Sequence, residues 1–318
     1  MKILVTGGAG FIGAHVAAAL LKRGDEVVCV DNFNDYYDPS LKEARVSALL
    51  GDFKPTWHRI DISNSEEVKK VFTENTFDAV CHLAAQAGVR YSLERPELYV
   101  QSNVVGTQNM IQQAVTNGVT KFIFASSSSV YGNNKKLPFS EIDAVERPVS
   151  LYAATKRAGE LLLHVYHSLH GLNVTCLRFF TVYGPWGRPD MAYFKFAKAI
   201  ADNRPIDVYN NGALKRDFTF IDDIVSGVLA AIDRTNSFEI INLGNSHPVE
   251  LGNFIEILER ELGANAKKNM MPMQPGDVLA TYADITKAKT VLGWQPTTSI
   301  GEGLKKFISW FKEYYHVK

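Results

Sequence analysis

The segment of residues 3–13 constrains the fold more than any other. It reads ILVTGGAGFIG, in which a β-branched apolar run leads to Gly7, Gly10 and Gly13 and then to the start of a helical pattern. At the first turn of a βαβ unit, such glycines permit a tight turn, let the backbone approach a pyrophosphate and let the helix pack closely on the sheet. The segment therefore predicts a strand–turn–helix that binds a dinucleotide at the positive end of the helix.

Short apolar runs alternate with longer amphipathic segments through the first half of the chain. This alternation indicates right-handed βαβ crossovers and a parallel sheet that is covered on both faces. The predicted strands span residues 2–6, 26–31, 56–60, 78–83, 121–126 and 173–179. The predicted helices between them span residues 10–23, 65–74, 97–117 and 151–170.

Beyond residue 180 the pattern changes to shorter helices that are separated by loops rich in Gly, Pro and Asn. The predicted loops are 183–189, 202–214 and 271–276, and the predicted helices are 192–201, 221–233, 251–262 and 300–315. We therefore expect an α/β protein with a Rossmann-type doubly wound parallel sheet in residues 1–180 and a smaller, mixed α/β substrate lobe in residues 181–318. A strand at 238–243 is expected to return to the first sheet, and a cleft between the lobes is the expected ligand site.

Composition narrows the function classes. The 318 residues include 34 Lys+Arg and 34 Asp+Glu, and this balance argues against broad binding of nucleic acid or of an anionic membrane. Cys29, Cys81 and Cys176 lie in apolar, strand-like runs without disulfide or zinc spacing. No apolar run is long enough to span a bilayer. We expect a cytoplasmic protein without a bound metal.

Polar residues at the ends of the predicted strands extend the dinucleotide site. Asp31 ends the second strand, about 20 residues beyond the glycines, where a carboxylate accepts hydrogen bonds from ribose hydroxyls and repels a 2′-phosphate. This position favours NAD over NADP. The segments after the third and fourth strands are expected beside the adenine and under the cofactor. The further predicted cofactor-binding residues are Phe11, Ile12, Asn32, Asp61, Ile62, Leu83, Ala84 and Ala85.

A tyrosine and a lysine predict the catalytic centre. Tyr152 and Lys156 are one turn apart on a predicted helix and so share a face. The ammonium can lower the pKa of the phenol, so that a tyrosinate accepts a proton from a sugar or alcohol hydroxyl, and Lys156 can also hold the nicotinamide ribose. Four serines, 126–129, end the fifth predicted strand, at the carboxyl edge where α/β proteins bind ligands.

These motifs, together with RDFTFIDDIV at residues 216–225, resemble those of extended short-chain dehydrogenase/reductases, specifically the nucleotide-sugar epimerase/dehydratase group. The resemblance runs from Met1 to about Phe311. Residues 30–42, 84–96 and 177–192 are similar, more narrowly, to UDP-glucuronate 4-epimerases. The resemblance implies a tightly bound NAD that is reduced and reoxidised within one turnover.

The resemblance also implies roles for single residues. Ser127 is the implied catalytic serine, and Ser128 and Ser129 flank the sugar. Related hexose epimerases carry an arginine where this chain has Gln274, which leaves a phosphate contact there open. The other matched positions are Arg216 at the UDP diphosphate, Ile206 and Tyr209 around the uracil, Asp277 at the nucleoside ribose, and Arg90 and Asn103 near the nicotinamide half of the cofactor.

A few positions distinguish members of the family. Ser128 and Ser129 stand where dehydratases carry an Asp-Glu pair, and decarboxylating relatives carry Glu at the second position, so both absences favour epimerisation. Thr181 stands where hexose epimerases usually carry Asn, and Arg188 nearby can add charge-assisted hydrogen bonds to a C6 carboxylate. We therefore predict NAD-dependent 4-epimerisation of UDP-glucuronate and UDP-galacturonate. A UDP-hexose 4-epimerase, a UDP-glucuronate decarboxylase and a non-catalytic NAD-sensing protein stay open as alternatives.

Related proteins dimerise through the helices that match residues 97–117 and 151–170, so the resemblance implies a homodimer. His164, His167 and His170 share one stripe of the second helix. We expect them at the surface or in this interface rather than at a metal ion.

Overall fold

A seven-stranded parallel sheet forms the centre of the molecule, and it confirms the predicted fold class. The computed structural model describes residues 1–273 and 279–317. The strands are β1 (Lys2–Thr6), β2 (Glu26–Val30), β3 (Thr56–His58), β4 (Ala79–His82), β5 (Lys121–Ser127), β6 (Asn173–Phe179) and β11 (Phe238–Leu243). Their order is β3-β2-β1-β4-β5-β6-β11. The order reverses between β1 and β4, where doubly wound sheets bind dinucleotides.

Helices cover both faces of this sheet. On one face, α1 (Phe11–Arg23) and α9 (Ile221–Arg234) share a core that includes Leu20 and Ile224. On the other face, α3 (Ser65–Thr73), α6 (Thr107–Thr116) and α7 (Leu151–His170) share a core that includes Val68, Met110 and Leu163. The remaining helices are α2 (Pro39–Leu50), α4 (Tyr91–Glu94), α5 (Pro96–Tyr99), α8 (Ala192–Ala201), α10 (Leu251–Leu262) and α11 (Ile300–Tyr315).

Small sheets follow β6. Strand β7 (Thr181–Tyr183) pairs with β10 (Phe218–Phe220), and β8 (Pro205–Tyr209) pairs with β13 (Lys267–Met271). Strand β9 (Lys215–Arg216) lies between β12 (Val249–Glu250) and β14 (Ala280–Thr281). Strand β11 pairs with β6 at the edge of the central sheet. The division into two lobes at residue 180 stays a prediction.

Helix α2 is the largest element that the sequence patterns did not predict. Asp38 caps it by accepting a hydrogen bond from the Ser40 backbone N–H, and proline occupies its first turn. Its buried residues include Lys42 and Arg45 beside leucines. Cations on the buried face break the apolar period on which helix prediction depends.

The predicted helix over residues 97–117 is divided in the structure. Between α5 and α6, the residues Val100–Gly106 form a π-helical stretch. Asn103 is buried at the middle of this stretch, and π-helical turns often mark functional sites. The predicted loop over 202–214 is also only partly correct, because it contains β8.

In the described ranges, no helix combines the length and apolarity that crossing a membrane would require. Over the same ranges, no group of three or more His, Cys, Asp or Glu side chains is arranged to hold a metal ion.

Candidate active site

The glycine turn between β1 and α1 has no room for side chains. Gly7 has a φ of +69°, and a Cβ atom there would lie 2.8 Å from the backbone nitrogen of Ala84. A Cβ atom on Gly13 would lie 2.0 Å from the carbonyl oxygen of Gly7. Gly10 precedes α1 without a side-chain cap, so the N–H groups of the first turn, including those of Phe11 and Ile12, form the type of helix terminus that binds phosphate.

Asp31 directly follows β2, and its carboxylate contacts the glycine turn. Its Oδ2 accepts a hydrogen bond from the Ala9 N–H at 3.1 Å, and its Oδ1 accepts one from the Phe33 N–H at 2.8 Å. Asn32 donates to Oδ2 of Asp61 at 3.1 Å and so joins the ends of β2 and β3. The narrow glycine turn and the adjacent carboxylate fit a dinucleotide that carries no 2′-phosphate.

The loops after β3 and β4 lie beside the same turn. Ile62 is 5% exposed, and a Cβ atom on Gly106 would lie 2.6 Å from its Cγ1 atom, so the π-helical stretch packs directly against it. The Leu83 N–H donates to the Thr6 carbonyl at 3.2 Å, and the Ala84 N–H donates to Thr6 Oγ1 at 3.1 Å. Ala85 follows, half-buried.

Asn103 fixes the β4 loop against α7. Its Oδ1 accepts the Gln86 N–H at 2.7 Å, and its Nδ2 donates to the Gln86 carbonyl and to Thr155 Oγ1, both at 3.0 Å. The structure therefore gives this side chain a positioning role, and its predicted contact with the nicotinamide half stays a prediction. Arg90 is exposed at the start of α4.

Lys156 is buried where α7 crosses the end of β5. Its Nζ donates to the Ala125 carbonyl at 2.8 Å and lies 5.1 Å from the centre of the Phe124 ring. Burial, followed by repulsion from Arg188, lowers the pKa of Lys156 to about 7. The amine can therefore gain or lose a proton near neutral pH.

Tyr152 lies next to Ser127, as predicted for a catalytic pair. Ser127 is 8% exposed, its hydroxyl is close enough to the phenol to lower the pKa of Tyr152, and its Oγ donates to Ser129 Oγ at 3.1 Å. Ser128 follows directly in a short helical turn after β5. The serine cluster and the phenol thus meet at the carboxyl edge of the sheet.

That the ammonium of Lys156 lowers the pKa of Tyr152 stays a prediction. Burial raises the pKa of Tyr152, while the charge of Arg188 and the hydrogen bond with Ser127 act to lower it. Among the charges that act on the phenol, that of Arg188 has the largest effect on the pKa of Tyr152.

Arg188 lies in the loop between β7 and α8 and is paired with Asp190. Its Nε donates to Asp190 Oδ1 at 3.0 Å, and its Nη2 donates to Oδ2 at 2.5 Å. Burial acts to lower the pKa of Arg188, but the charge and hydrogen bonds of Asp190 outweigh burial and raise it. Its side chain keeps 23% exposure, so the fixed cation stays accessible to solvent, and its charge lowers the pKa of Tyr152.

Four of the predicted substrate-binding residues, Thr181, Ile206, Tyr209 and Arg216, lie on the small strands. Thr181 begins β7, and its N–H donates to the Asp217 carbonyl at 3.1 Å. Arg216 lies on β9, half-buried, and Tyr209 ends β8, also half-buried. Ile206 is 3% exposed within a small apolar cluster, so its side chain serves the core. Asp277 and Gln274 lie outside the described residues.

The sequence patterns did not single out Tyr36 and Asp190. The Tyr36 hydroxyl donates to Asp190 Oδ2 at 3.1 Å. Each residue lies in a segment with a narrow family resemblance, 30–42 and 177–192, which was the available signal. Their contact depends on the fold, because the two residues are 154 positions apart along the chain.

Comparison with known proteins agrees with this geometry. The model of the NAD dependent epimerase/dehydratase family matches residues 3–244. The chain is 50% identical over 333 residues to a UDP-glucuronate 4-epimerase of Arabidopsis thaliana, an alignment that covers 99% of this chain and 76% of the relative.

Two solved structures are also similar. One is UDP-glucuronic acid 4-epimerase from Bacillus cereus in complex with UDP-glucuronic acid and NAD, with a TM-score of 0.92, 38% identity, and coverage of 99% of this chain and 100% of that chain. The other is UDP-glucose 4-epimerase from Thermotoga maritima with UDP-glucose, with a TM-score of 0.89, 30% identity and the same coverage. The chain belongs to the NAD dependent epimerase/dehydratase family.

Proposed function

We propose that this protein is an NAD-dependent 4-epimerase that interconverts UDP-glucuronate and UDP-galacturonate. The observation that carries the proposal is the accessible guanidinium of Arg188, which Asp190 holds by two hydrogen bonds at 3.0 and 2.5 Å. Its charge also contributes to the pKa of Tyr152 and of Lys156. A cation beside the proton-transfer groups suits a sugar with a carboxylate next to the reacting carbon. The named activity of the Arabidopsis and Bacillus relatives supports the same substrate.

The proton transfer is assigned to Tyr152 and Ser127, with Lys156 as the residue that positions the cofactor. Tyr152 is proposed to accept the proton of the sugar O4 hydroxyl and to return it to O4 after the 4-keto sugar has rotated to present its other face, and the Ser127 hydroxyl is proposed to share that hydrogen bond. Lys156, whose Nζ donates to the Ala125 carbonyl, is proposed to hold the nicotinamide ribose close to the phenol. NAD, when bound, supplies the hydride acceptor and donor at C4.

The carboxylate must be retained, because a β-keto acid loses CO₂ readily when its C–C bond stands perpendicular to the ketone plane. Thr181 and the hydroxyls of Ser128 and Ser129 are proposed to hold the carboxylate away from that angle. Neither serine position offers an acid that would assist elimination or decarboxylation.

The nucleotide half of the substrate is assigned to the small strands. Arg216 is proposed to bind the diphosphate, and Tyr209 and the backbone at Ile206 are proposed to border the uracil. Asp277 is proposed to bind the nucleoside ribose. The glycine turn, Asp31 and the β3 and β4 loops are proposed to hold the NAD.

We further propose a cytoplasmic homodimer. The three cysteines are buried and unpaired, as is usual in a reducing compartment. Apolar side chains remain exposed on α7 and on the π-helical stretch beside it, among them Val105, Leu161 and Leu169. Such a patch is typical of a protein–protein interface.

The proposed function is tested by incubating the purified enzyme separately with UDP-glucuronate and with UDP-glucose and identifying the products by NMR. We expect UDP-galacturonate from the first substrate and little conversion of the second. Turnover of UDP-glucose alone would identify a hexose epimerase, and release of CO₂ with a UDP-pentose would identify a decarboxylase. Absence of any turnover, together with no growth of NADH absorbance near ~340 nm on adding substrate, would favour a non-catalytic protein.

A further inference from the structure

Tyr36 connects three loops at the candidate site: its own segment, the loop after β4 and the loop before α8. It lies in the segment between β2 and α2, its hydroxyl reaches Asp190 in the loop before α8 at 3.1 Å, and its ring packs on Tyr91 at a centroid distance of 5.0 Å. A Cβ atom on Gly88 would lie 2.3 Å from the Tyr36 hydroxyl oxygen. The hydroxyl is therefore confined between the β4 loop and the loop that carries Arg188.

Asp190 in turn fixes the guanidinium of Arg188. It engages Nε and Nη2 together, a bidentate arrangement that sets the plane of the group. The arginine fork has five N–H donors, so this contact leaves donors for a ligand carboxylate. Tyr36, Asp190 and Arg188 thus form a chain in which each member orients the next.

Arg45, in the helix that follows Tyr36, provides a second contact with the loop that carries Arg188. Arg45 of α2 is fully buried, and its Nε donates to the Trp186 carbonyl at 2.9 Å while its Nη1 donates to the Ala9 carbonyl at 2.6 Å. The loop that carries Arg188 is thereby tied to the glycine turn at one point and to Tyr36 at another. Two ties from one segment limit its movement relative to the cofactor site.

We propose that Tyr36 and Asp190 are positioning residues that fix Arg188 for the carboxylate of the substrate and so favour uronates over neutral hexoses. The inference rests on the proposed function. An arginine side chain has several rotatable bonds, and ordering it before binding removes an entropic cost that the substrate would otherwise meet. Neither residue touches the reacting atoms, and both act through Arg188.

The test compares Tyr36→Phe and Asp190→Asn with the parent enzyme, each loaded with NAD. The measurements are KM and kcat for UDP-glucuronate and the inhibition constant of UDP, which has no carboxylate. We expect KM for UDP-glucuronate to rise about tenfold and the inhibition constant of UDP to stay within about twofold. Asp190→Asn should also move the acid limb of the pH–rate profile to lower pH, because Asp190 raises the pKa of Tyr152.

Two further variants make the test specific. Tyr91→Phe removes a hydroxyl from the neighbouring ring, which packs on Tyr36, and we expect no change in KM. In an Arg188→Met background, Asp190→Asn should add nothing to KM, since positioning residues act through the arginine.

The outcomes separate the inference from the proposed function. If the parent enzyme epimerises UDP-glucuronate and both variants keep its KM, the inference is wrong and the proposed function stands. The inference also fails if KM and the UDP inhibition constant rise equally, because that result indicates general loss of structure. If the parent enzyme converts only UDP-glucose, the proposed function and the inference fail together.

Discussion

At the scale of single residues, the phenol of Tyr152 is controlled by competing effects. Burial raises its pKa, and Arg188 and Ser127 oppose that effect. Burial lowers the pKa of Lys156 to about 7, so its charge at neutral pH is only partial. The residue that recognises the carboxylate in our proposal therefore also adjusts the base that starts the reaction.

A pH–rate profile tests this dual role. The oxidative half of the reaction needs the phenolate of Tyr152, and Arg188 lowers the pKa at which it forms. Arg188→Met should therefore raise the pKa of Tyr152 and move the acid limb of kcat to higher pH. Arg188→Lys keeps a positive charge and should move it less. Equal shifts in the two variants would show that charge is not the cause.

Thr181→Ala tests how the carboxylate is retained. Removing one hydroxyl from the proposed contacts should let the carboxylate approach the angle at which CO₂ is lost, so the ratio of released CO₂ and UDP-keto-pentose to epimer should rise. The measurement is product partitioning by NMR during turnover of UDP-glucuronate. Thr181→Ser, which keeps the hydroxyl, serves as the control, and unchanged partitioning in the alanine variant would rule out this role.

The sequence predicts which candidate residues lie together where spacing along the chain determines geometry. Gly7, Gly13 and Asp31 belong to one βαβ unit, and Tyr152 and Lys156 to one helix, so local rules were sufficient. Tyr36 and Asp190 meet only after the sheet has formed, and no local pattern describes such a contact.

At the scale of elements, a buried ion pair anchors α7, the helix that carries Tyr152 and Lys156. Glu160 of α7 accepts hydrogen bonds from Nε and Nη2 of Arg178 on β6, at 2.8 and 2.9 Å, and from Ser126 Oγ at 2.6 Å. Glu160 is 0% and Arg178 1% exposed. Because Ser126 directly precedes Ser127, the pair fixes α7 to the end of β5 that carries both serines.

Glu160→Gln should therefore be strongly destabilising. The amide keeps the shape but leaves the guanidinium of Arg178 buried without a carboxylate, which costs roughly 3–5 kcal/mol. The measurement is urea-induced unfolding followed by circular dichroism. Glu97→Gln removes an exposed partner of Arg95 and should leave the free energy of unfolding nearly unchanged, because solvent screens exposed ion pairs. Similar losses in both variants would contradict the anchoring role.

The elements that sequence patterns missed share a physical cause. Helix α2 buries Lys42 and Arg45, and the stretch Val100–Gly106 buries Asn103. Polar groups on an inward face are stable because tertiary partners satisfy them, such as the Trp186 carbonyl for Arg45. Patterns of apolar residues do not reveal such partners, so these segments are specified by the whole fold.

At the scale of the whole molecule, the parallel sheet brings distant loops to one edge. The carboxyl ends of β1, β2, β4 and β5 lead into the glycine turn, Asp31, the β4 loop and Ser127. The chain has a net charge of zero. Burial, followed by repulsion from Arg188, lowers the pKa of the buried Lys156 at this edge, so the two cationic side chains are close enough to interact. We expect the overall charge to hide a local positive site that suits anionic ligands.

The exposed apolar residues of α7 allow the proposed dimer to be tested. Leu161, Val165 and Leu169 follow one another at helical spacing on α7, with exposures of 52%, 49% and 72%. Burying a leucine contributes about 1.5–3 kcal/mol, so replacing Leu161 and Leu169 by Lys should weaken the dimer at least about tenfold per site. Light scattering across a dilution series measures this change. Ile142→Lys alters a side chain that is 88% exposed elsewhere and should leave the mass unchanged, whereas a dimer that survives both leucine substitutions must form through another face.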